Sequence, residues 1–207
     1  MLPKGLYVIT DEKLTPDDTV VEQISTVLQA GVKIIQYRNK NNSDNEVEEI
    51  CIQLQQLCTL HGATFIIDDR PHLAQKIQAD GLHIGRNDIS LQDARLIFSN
   101  GIIGVSCYGS IRKALEAQDQ GAGYVAFGSF YHSPTKPHSG IVSMSVLQKA
   151  KEALSIPICA IGGINVTNIH EISAHGPDMI SVVSAVFEGD IKYNIAKLAE
   201  GMVLLKY

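Results

Sequence analysis

This sequence of 207 residues lacks the features that mark several large classes of protein. It has no block of basic residues, and its formal net charge is -5, so we expect no nucleic-acid partner. No apolar run is long enough to cross a bilayer, and the N-terminal apolar run is too short for a signal peptide. We therefore expect a cytoplasmic protein with no membrane partner. Small anionic substrates stay compatible with this composition, because a local cluster of cations matters more to them than the net charge.

Cysteine pairs with the spacing of metal or redox sites are also missing. The four cysteines include no CxxC motif, and Cys51 and Cys58 lie seven residues apart within a helical pattern. Such cysteines are more often core residues than a disulfide or a metal pair. In addition, no Gly-x-Gly-x-x-Gly motif follows the first apolar run, which argues against an open dinucleotide-binding sheet.

What the sequence does contain is a regular alternation of short β-rich runs and helical patterns. The predicted strands are 5–10, 32–37, 65–67, 81–84, 102–106, 124–127, 156–161 and 179–183. The first predicted helix begins near Thr15, and the later ones cover 43–60, 71–79, 90–98, 110–120, 143–154, 167–174 and 191–205. Eight such units without a linker predict an α/β fold, a (β/α)8 TIM barrel that forms a single domain over 1–207. An open doubly wound sheet is the alternative.

Clustered charge follows two neighbouring strands of this predicted barrel. The apolar run 65–67 stops at Asp68 and Asp69, and the next run stops shortly before Asp88. Residues at the carboxyl ends of parallel strands meet on one face, so Asp69 and Asp88 are placed to face one divalent cation. Hard oxygen ligands from one or two carboxylates suit Mg²⁺. The competing interpretation is that each acid is a helix N-cap.

The strand ends in the first half of the chain also supply cations and an amide. Gln36, Arg38 and Lys40 alternate along extended chain and should therefore project to the same side. Together with Lys136 and Mg²⁺, the two cations would suit a diphosphate and stabilise the charge that develops when it leaves. The alternative is that these long side chains are simply solvated.

The strand ends in the second half supply glycines, hydroxyls and backbone amides. The long irregular segment 128–141 is of the kind that is usually functional in a compact domain. Gly163 would let the backbone approach an oxyanion, and the amides of Val183 and Ser184 would point at it, as at the phosphate site of many barrels. A plain tight turn is the alternative for the glycines. A phosphate site beside a magnesium diphosphate site predicts a transferase that joins two phosphorylated small molecules.

Taken together, these segments resemble the thiamine-phosphate synthase family. QYRNK at 36–40 resembles its Q-x-R-x-K segment, and IIDDR followed by ADGLHIGRND resembles its NDR and DGxHxGQxD segments. IIGVS, GYVAFGSFYHSPTKP, ICAIGGI and ISVVSAV follow in the order of the family. The resemblance covers nearly the whole chain. It implies a TIM-barrel enzyme that couples hydroxymethylpyrimidine diphosphate to a (carboxy)thiazole phosphate and releases diphosphate.

The resemblance also implies a role for each matching residue. Asp69 and Asp88 would hold Mg²⁺ as the cofactor, and Arg38, Ser106 and Lys136 would form the catalytic group. The substrate-binding residues would be Gln36, Tyr37, Arg38, Asn39, Lys40, Asp68, Ser106, Ser133, Pro134, Thr135, Lys136, Gly163, Val183 and Ser184. The implied chemistry is dissociative and needs no general base, so His83 is interpreted as a structural residue.

Two residues depart from the family pattern. Asp68 stands where the family commonly has Asn, and Arg86 stands where it commonly has Gln; we expect normal synthase activity despite both.

Two other functions are alternatives to a synthase. A thiazole tautomerase would need the phosphate site but not the metal carboxylates. A non-catalytic barrel that binds thiamine phosphate is the second alternative. The sequence is compatible with a homo-oligomer but does not specify one.

Overall fold

The computed structural model describes residues 2–132 and 140–202, and within these ranges eight parallel strands form a closed barrel. The strands are β1 (Gly5–Ile9), β2 (Ile34–Tyr37), β3 (Thr64–Asp68), β4 (Gly81–Ile84), β5 (Ile102–Tyr108), β6 (Tyr124–Phe127), β7 (Ile158–Ile161) and β8 (Met179–Val182). Each strand pairs with the next in the chain, and β8 pairs with β1. The predicted TIM-barrel fold is therefore confirmed, and the open sheet is excluded.

Helices follow the strands around the outside of this barrel. They are α1 (Val20–Gln29), α2 (Asp44–Leu60), α3 (Pro71–Ile77), α4 (Leu91–Ile97), α5 (Ile111–Asp119), α6 (Ser145–Ala153), α7 (Ile169–Ala174), α8 (Ser184–Phe187) and α9 (Ile191–Gly201). In the part of the chain that is described, none of them is both long and apolar enough to span a membrane.

The local sequence explains where several helices begin. Ser43 and Glu46 form a capping box at the start of α2, with the Ser43 amide 2.7 Å from Glu46 Oε2. Pro71 occupies the first turn of α3, and the Ser90 hydroxyl accepts a hydrogen bond from the Asp93 amide at the start of α4. The helix starts predicted near 43, 71 and 90 are thus observed.

The helices differ from the prediction at the start of α1 and by one additional short helix. The segment predicted to start the first helix at Thr15 instead forms turns, because the Thr15 hydroxyl pairs with the amide and the carbonyl of Asp11. Continuous helix begins only at Val20. The short helix α8, directly after β8, was not predicted from the sequence. The last helix is described as far as Gly201, so the end of the predicted helix 191–205 lies outside the described residues.

Alternation along each strand sorts its side chains between two cores. Tyr7, Ile34, Ile66 and Tyr124 point into the barrel and pack with one another. Their strand neighbours, such as Ile35 and the other residues of the larger cluster, point outward and pack against the helices. Every strand is thus covered on both faces, which is why the sequence shows continuous apolar runs rather than polar alternation. The carboxyl ends of all eight strands meet at one mouth of the barrel, and most of the buried polar residues lie near it.

Candidate active site

A cavity opens at this mouth and brings together most of the site residues that the sequence predicts. The predicted residues that line it are Gln36, Arg38, Lys40, Asp68, Asp88, Ser106, Gly163, Val183 and Ser184. Residues from the first and the second half of the chain therefore face one common space. The predicted residues Ser133, Pro134, Thr135 and Lys136 lie outside the described part of the chain.

Cations and carboxylates alternate on the rim formed by β2 and β3. Lys40 Nζ lies 3.0 Å from Asp68 Oδ2 and also forms an ion pair with the Asp69 carboxylate. The Nε atom of Arg38 is 3.8 Å from Asp68 Oδ2. Burial alone would lower the pKa of Lys40, but the two carboxylates outweigh it and hold that pKa above its usual value. Lys40 therefore stays charged and available to an anion.

Glu12, which the strand-end pattern did not single out, organises this rim from the loop after β1. Arg38 Nη1 donates to both carboxylate oxygens of Glu12, at 3.0 and 3.2 Å, and the Lys40 amide donates to Glu12 Oε1 at 2.6 Å. Glu12 therefore fixes the side chain of one cation and the backbone of the other. The signal that points to it is its place just beyond the end of β1, the same signal that identified the acids after β3.

Arg70 fixes the loop that carries Lys40. Its Nη2 atom donates to the carbonyls of Asn39 and Asn42, at 2.5 and 2.6 Å, and Nη1 donates to Asp44 Oδ1 at 2.5 Å. The Asn39 side chain also caps this loop, because its Oδ1 accepts from the Asn42 amide. Predicted to bind substrate, Asn39 instead lies buried within the loop and does not line the cavity.

Tyr37, also predicted to bind substrate, points the other way. Its ring is buried between the barrel and the helices, and its hydroxyl lies 3.4 Å from Asp17. The physical reason is strand alternation: Gln36 and Arg38 face the cavity, so the residue between them faces the helices. A direct substrate contact by Tyr37 is not suggested by this geometry.

Asp69 and Asp88 follow adjacent strands and form a donor set that fits Mg²⁺. Asp88 lines the cavity and accepts a hydrogen bond from the Gly85 amide at 2.6 Å. Asp69 is not among the lining residues; its backbone turns through a left-handed conformation with φ 53°, and its carboxylate is paired with Lys40. Burial raises the pKa of Asp69, the Lys40 hydrogen bond opposes that rise, and the charges of Asp68 and Asp88 add to it.

Burial is the largest cause of this rise, and Lys40 already pairs with the carboxylates of both Asp68 and Asp69. A divalent ion held by Asp69 and Asp88 would offset the smaller part of the rise that comes from neighbouring carboxylates. Within the described ranges, no group of three or more His, Cys, Asp or Glu residues is suited to hold a metal ion. One or two carboxylates completed by water and phosphate oxygens are the usual protein contribution to a Mg²⁺ site, so Asp69 and Asp88 are compatible in kind with such a site.

The opposite rim, after β7 and β8, is formed by glycine and backbone. Gly163 has φ +68°, and a side chain there would collide with the His132 carbonyl and the backbone of Tyr131. The glycine is therefore needed for the 131–132 segment to pack on the end of β7, which supports the tight-turn interpretation. It does not exclude an anion, because Gly163 also lines the cavity together with Val183 and Ser184.

The floor of the cavity contains a buried chain of hydrogen bonds. Gln36 Nε2 lies 2.7 Å from the Tyr7 hydroxyl, which lies 2.7 Å from the Tyr124 hydroxyl. Tyr124 in turn lies 2.8 Å from His83 Nδ1, and His83 Nε2 lies 2.9 Å from Ser106 Oγ. This hydrogen-bond chain thus links Gln36 and Ser106, both of which are predicted substrate-binding residues. Tyr7 and Tyr124 were not predicted, because a tyrosine in a buried strand is indistinguishable from an ordinary core residue.

The sequence and the barrel are similar to those of known proteins. The family described as thiamine monophosphate synthase matches residues 6–186 of the chain. The chain belongs to this family. The thiamine-phosphate synthase of Wolinella succinogenes is 39% identical over 201 residues, which cover 97% of this chain and 92% of that protein. The thiamine-phosphate synthase of Acidithiobacillus ferrooxidans is 42% identical over 193 residues, covering 91% of this chain and 89% of that protein.

A solved structure of the same family agrees with the fold. Thiamine phosphate pyrophosphorylase from Pyrococcus furiosus superimposes with a TM-score of 0.86 at 37% identity. The match covers 95% of this chain and 94% of that one. The thiamine monophosphate synthase family therefore accounts for nearly the whole barrel, including both rims of the cavity.

Proposed function

We propose that this chain is a thiamine-phosphate synthase, which joins hydroxymethylpyrimidine diphosphate to a thiazole phosphate and releases diphosphate. Membership of the family supports this function. The structural observation that carries it is one shared cavity with two unlike rims: Arg38 and Lys40 among carboxylates on one side, and Gly163 with Val183 and Ser184 on the other. Two differently charged phosphorylated substrates can occupy such a cavity together.

On the charged rim, Arg38 and Lys40 bind the diphosphate and neutralise charge as it leaves. Both cations are held in place by carboxylates in the structure, so they exchange part of these contacts for phosphate oxygens when substrate binds. Asp69 and Asp88 would hold Mg²⁺, which supplies further positive charge to the leaving diphosphate. Lys136, predicted for the same role, completes this proposal from outside the described residues.

On the floor, Gln36 and Ser106 hold the pyrimidine ring while its carbon–oxygen bond to diphosphate breaks. The electron pair of that bond leaves with the diphosphate, and the positive charge spreads over the pyrimidine. The thiazole nitrogen then donates its lone pair to the exocyclic carbon and forms the new carbon–nitrogen bond. No proton has to be removed for this step, so the mechanism requires no general base.

On the uncharged rim, backbone amides near Gly163, Val183 and Ser184 bind the thiazole phosphate. The predicted contacts of Ser133, Pro134 and Thr135 belong to the same side. Dependence on Mg²⁺, a cytoplasmic location and assembly into a homo-oligomer stay predictions from the sequence.

One assay tests the function directly. The purified protein is incubated with both phosphorylated substrates, with Mg²⁺ or with a chelator, and thiamine phosphate is measured. We expect product only with Mg²⁺. Absence of product under every condition would exclude the synthase. Isomerisation of the carboxythiazole phosphate without coupling would indicate a tautomerase, and tight binding without turnover a non-catalytic binding protein.

The metal assignment has a sharper test in Asp69→Ala and Asp88→Ala. Each variant loses one of the two carboxylate ligands, so we expect turnover at limiting Mg²⁺ to fall at least about tenfold and to recover partly at high Mg²⁺. Asp119→Ala is the matched control, because Asp119 is exposed at the end of α5, away from the cavity. Full turnover by either site variant at limiting Mg²⁺ would remove that residue from the metal site.

A further inference from the structure

The buried hydrogen-bond chain beneath the cavity has a direction. Gln36 Nε2 is the atom next to Tyr7, and a primary amide nitrogen can only donate. The Tyr7 hydroxyl therefore accepts from Gln36 and has its own proton left for Tyr124, 2.7 Å away. The Tyr124 hydroxyl then donates to His83 Nδ1. Because that nitrogen accepts, the ring proton lies on Nε2, which donates to Ser106 Oγ.

Burial supports this order of donors. Tyr7 and Tyr124 are almost completely buried, and burial raises the pKa of both hydroxyls well above the usual value, so each keeps a proton to donate. An unpaired hydroxyl at this depth would be costly, so each proton must find an acceptor within the chain. Gly104 makes room for the arrangement, because any side chain there would collide with the Tyr124 ring.

The two ends of the hydrogen-bond chain consequently present different groups to the cavity, an acceptor at Gln36 and a donor at Ser106. Gln36 uses its nitrogen on Tyr7, which leaves its carbonyl oxygen, an acceptor, for the cavity. Ser106 Oγ accepts the hydrogen bond from His83 Nε2, which leaves the hydroxyl of Ser106 free to donate its own proton to a group in the cavity. Both residues line that cavity. A ring with an amino group next to a ring nitrogen carries the complementary pair, a donor beside an acceptor.

We propose that Tyr7, Tyr124 and His83 are positioning residues that set the polarity of Gln36 and Ser106, and so select an aminopyrimidine over an oxopyrimidine. This inference rests on the proposed function, because it concerns the pyrimidine substrate of the same site. An oxopyrimidine presents a carbonyl acceptor where the amine would donate and a ring N–H where the nitrogen would accept. Its carbonyl oxygen would face the Gln36 carbonyl oxygen, and its ring N–H would face the Ser106 hydroxyl proton. Neither pair can form a hydrogen bond, so an oxopyrimidine should bind more weakly.

The first test determines the direction of the hydrogen-bond chain without measuring enzyme activity. In protein labelled with ¹⁵N-histidine, long-range ¹H–¹⁵N correlation distinguishes a protonated ring nitrogen from an acceptor nitrogen, and the His83→Gln spectrum identifies the His83 signals. We expect the proton on Nε2, and in Tyr124→Phe a redistribution between the two nitrogens. A proton on Nδ1 in the unaltered protein would mean that the chain runs the other way, and would overturn the proposal even if the protein is an active synthase.

The second test measures specificity. The ratio of kcat/KM for the amino substrate to that for its oxo analogue should fall by about tenfold in Tyr7→Phe. Without the Tyr7 hydroxyl, the Gln36 amide can rotate by half a turn and exchange its nitrogen and oxygen positions. In Tyr124→Phe, the KM for the pyrimidine substrate should rise about three- to tenfold, and the KM for the thiazole phosphate should not change. Tyr193→Phe, at an exposed position on α9, is the control for the loss of a tyrosine hydroxyl.

The outcomes separate the two proposals. An unchanged amino-to-oxo ratio in Tyr7→Phe, with normal folding by thermal unfolding, would assign the tyrosines to packing alone. Absence of thiamine phosphate with the unaltered protein would refute the proposed function instead, and the histidine spectrum would still report the direction of the chain.

Discussion

Replacing Arg70 and, separately, Asp44 should distinguish the contribution of the Arg70 hydrogen bonds to the free energy of unfolding from that of its ion pair. The side chain of Arg70 is only 12% exposed, and it donates to the carbonyls of Asn39 and Asn42 and to the carboxylate of Asp44, which is 46% exposed. In Arg70→Met both carbonyls lose their donor, at about 1–3 kcal/mol each. The exposed ion pair contributes about 0–1 kcal/mol. Arg70 Nε is buried without a hydrogen-bond partner, so its removal should offset about 1 kcal/mol of this loss of stability.

The free energy of unfolding of Arg70→Met should therefore fall by about 1–6 kcal/mol, measured by urea denaturation with linear extrapolation. Asp44→Asn removes the charge of the ion pair but leaves the carbonyls paired, so it should cost at most about 1 kcal/mol. In Arg70→Met the KM for the pyrimidine diphosphate should also rise, because the loosened loop carries Lys40. Equal losses of stability in the two variants would refute the reasoning, since the ion pair would then contribute more than the two carbonyl hydrogen bonds.

Three further predictions concern other parts of the molecule. Gly163→Ala should lose more stability than Gly189→Ala, by more than about 1 kcal/mol in thermal or urea unfolding, because both have positive φ but only Gly163 also meets backbone; equal losses would show that the contact is relieved easily. Asp68→Asn should lower the KM for the pyrimidine diphosphate severalfold, because it removes a negative charge 3.0 Å from Lys40; a higher KM would mean that Asp68 mainly positions the cations. The four buried cysteines should resist iodoacetamide in the folded protein and react in urea, because burial raises their thiol pKa, to about 12 in three of them; rapid labelling of the native protein would contradict this burial.

The barrel was predictable because its signals are local. Each strand is a short apolar run, each helix has a periodic pattern, and starts such as Ser43 and Ser90 are set by residues within one turn. The rim containing Arg38 and Lys40 was predictable for the same reason, since the end of a strand is visible in the sequence. The start of α1 was not, because it depends on how the Thr15 side chain competes for the Asp11 backbone.

The hydrogen-bond chain in the floor of the cavity could not be predicted, because the residues that form it are far apart in the sequence. Tyr7 and Tyr124 are separated by 117 positions, and neither sits beside a polar residue that would suggest a role. Which acid faces the cavity was equally hidden. Asp68 and Asp69 are neighbours in the sequence, but strand alternation turns Asp68 inward, and a left-handed backbone at Asp69 directs its carboxylate to Lys40.

The ion pairs of the charged rim have a consequence for which form of substrate can enter. In the part of the chain that is described, two cations, Arg38 and Lys40, face four carboxylates, so the rim itself carries an excess of negative charge. The carboxylates belong to Glu12, Asp68, Asp69 and Asp88. We therefore expect these carboxylates to weaken the binding of a free diphosphate, and we expect a diphosphate that arrives with a divalent cation to bind better because the cation would offset their charge.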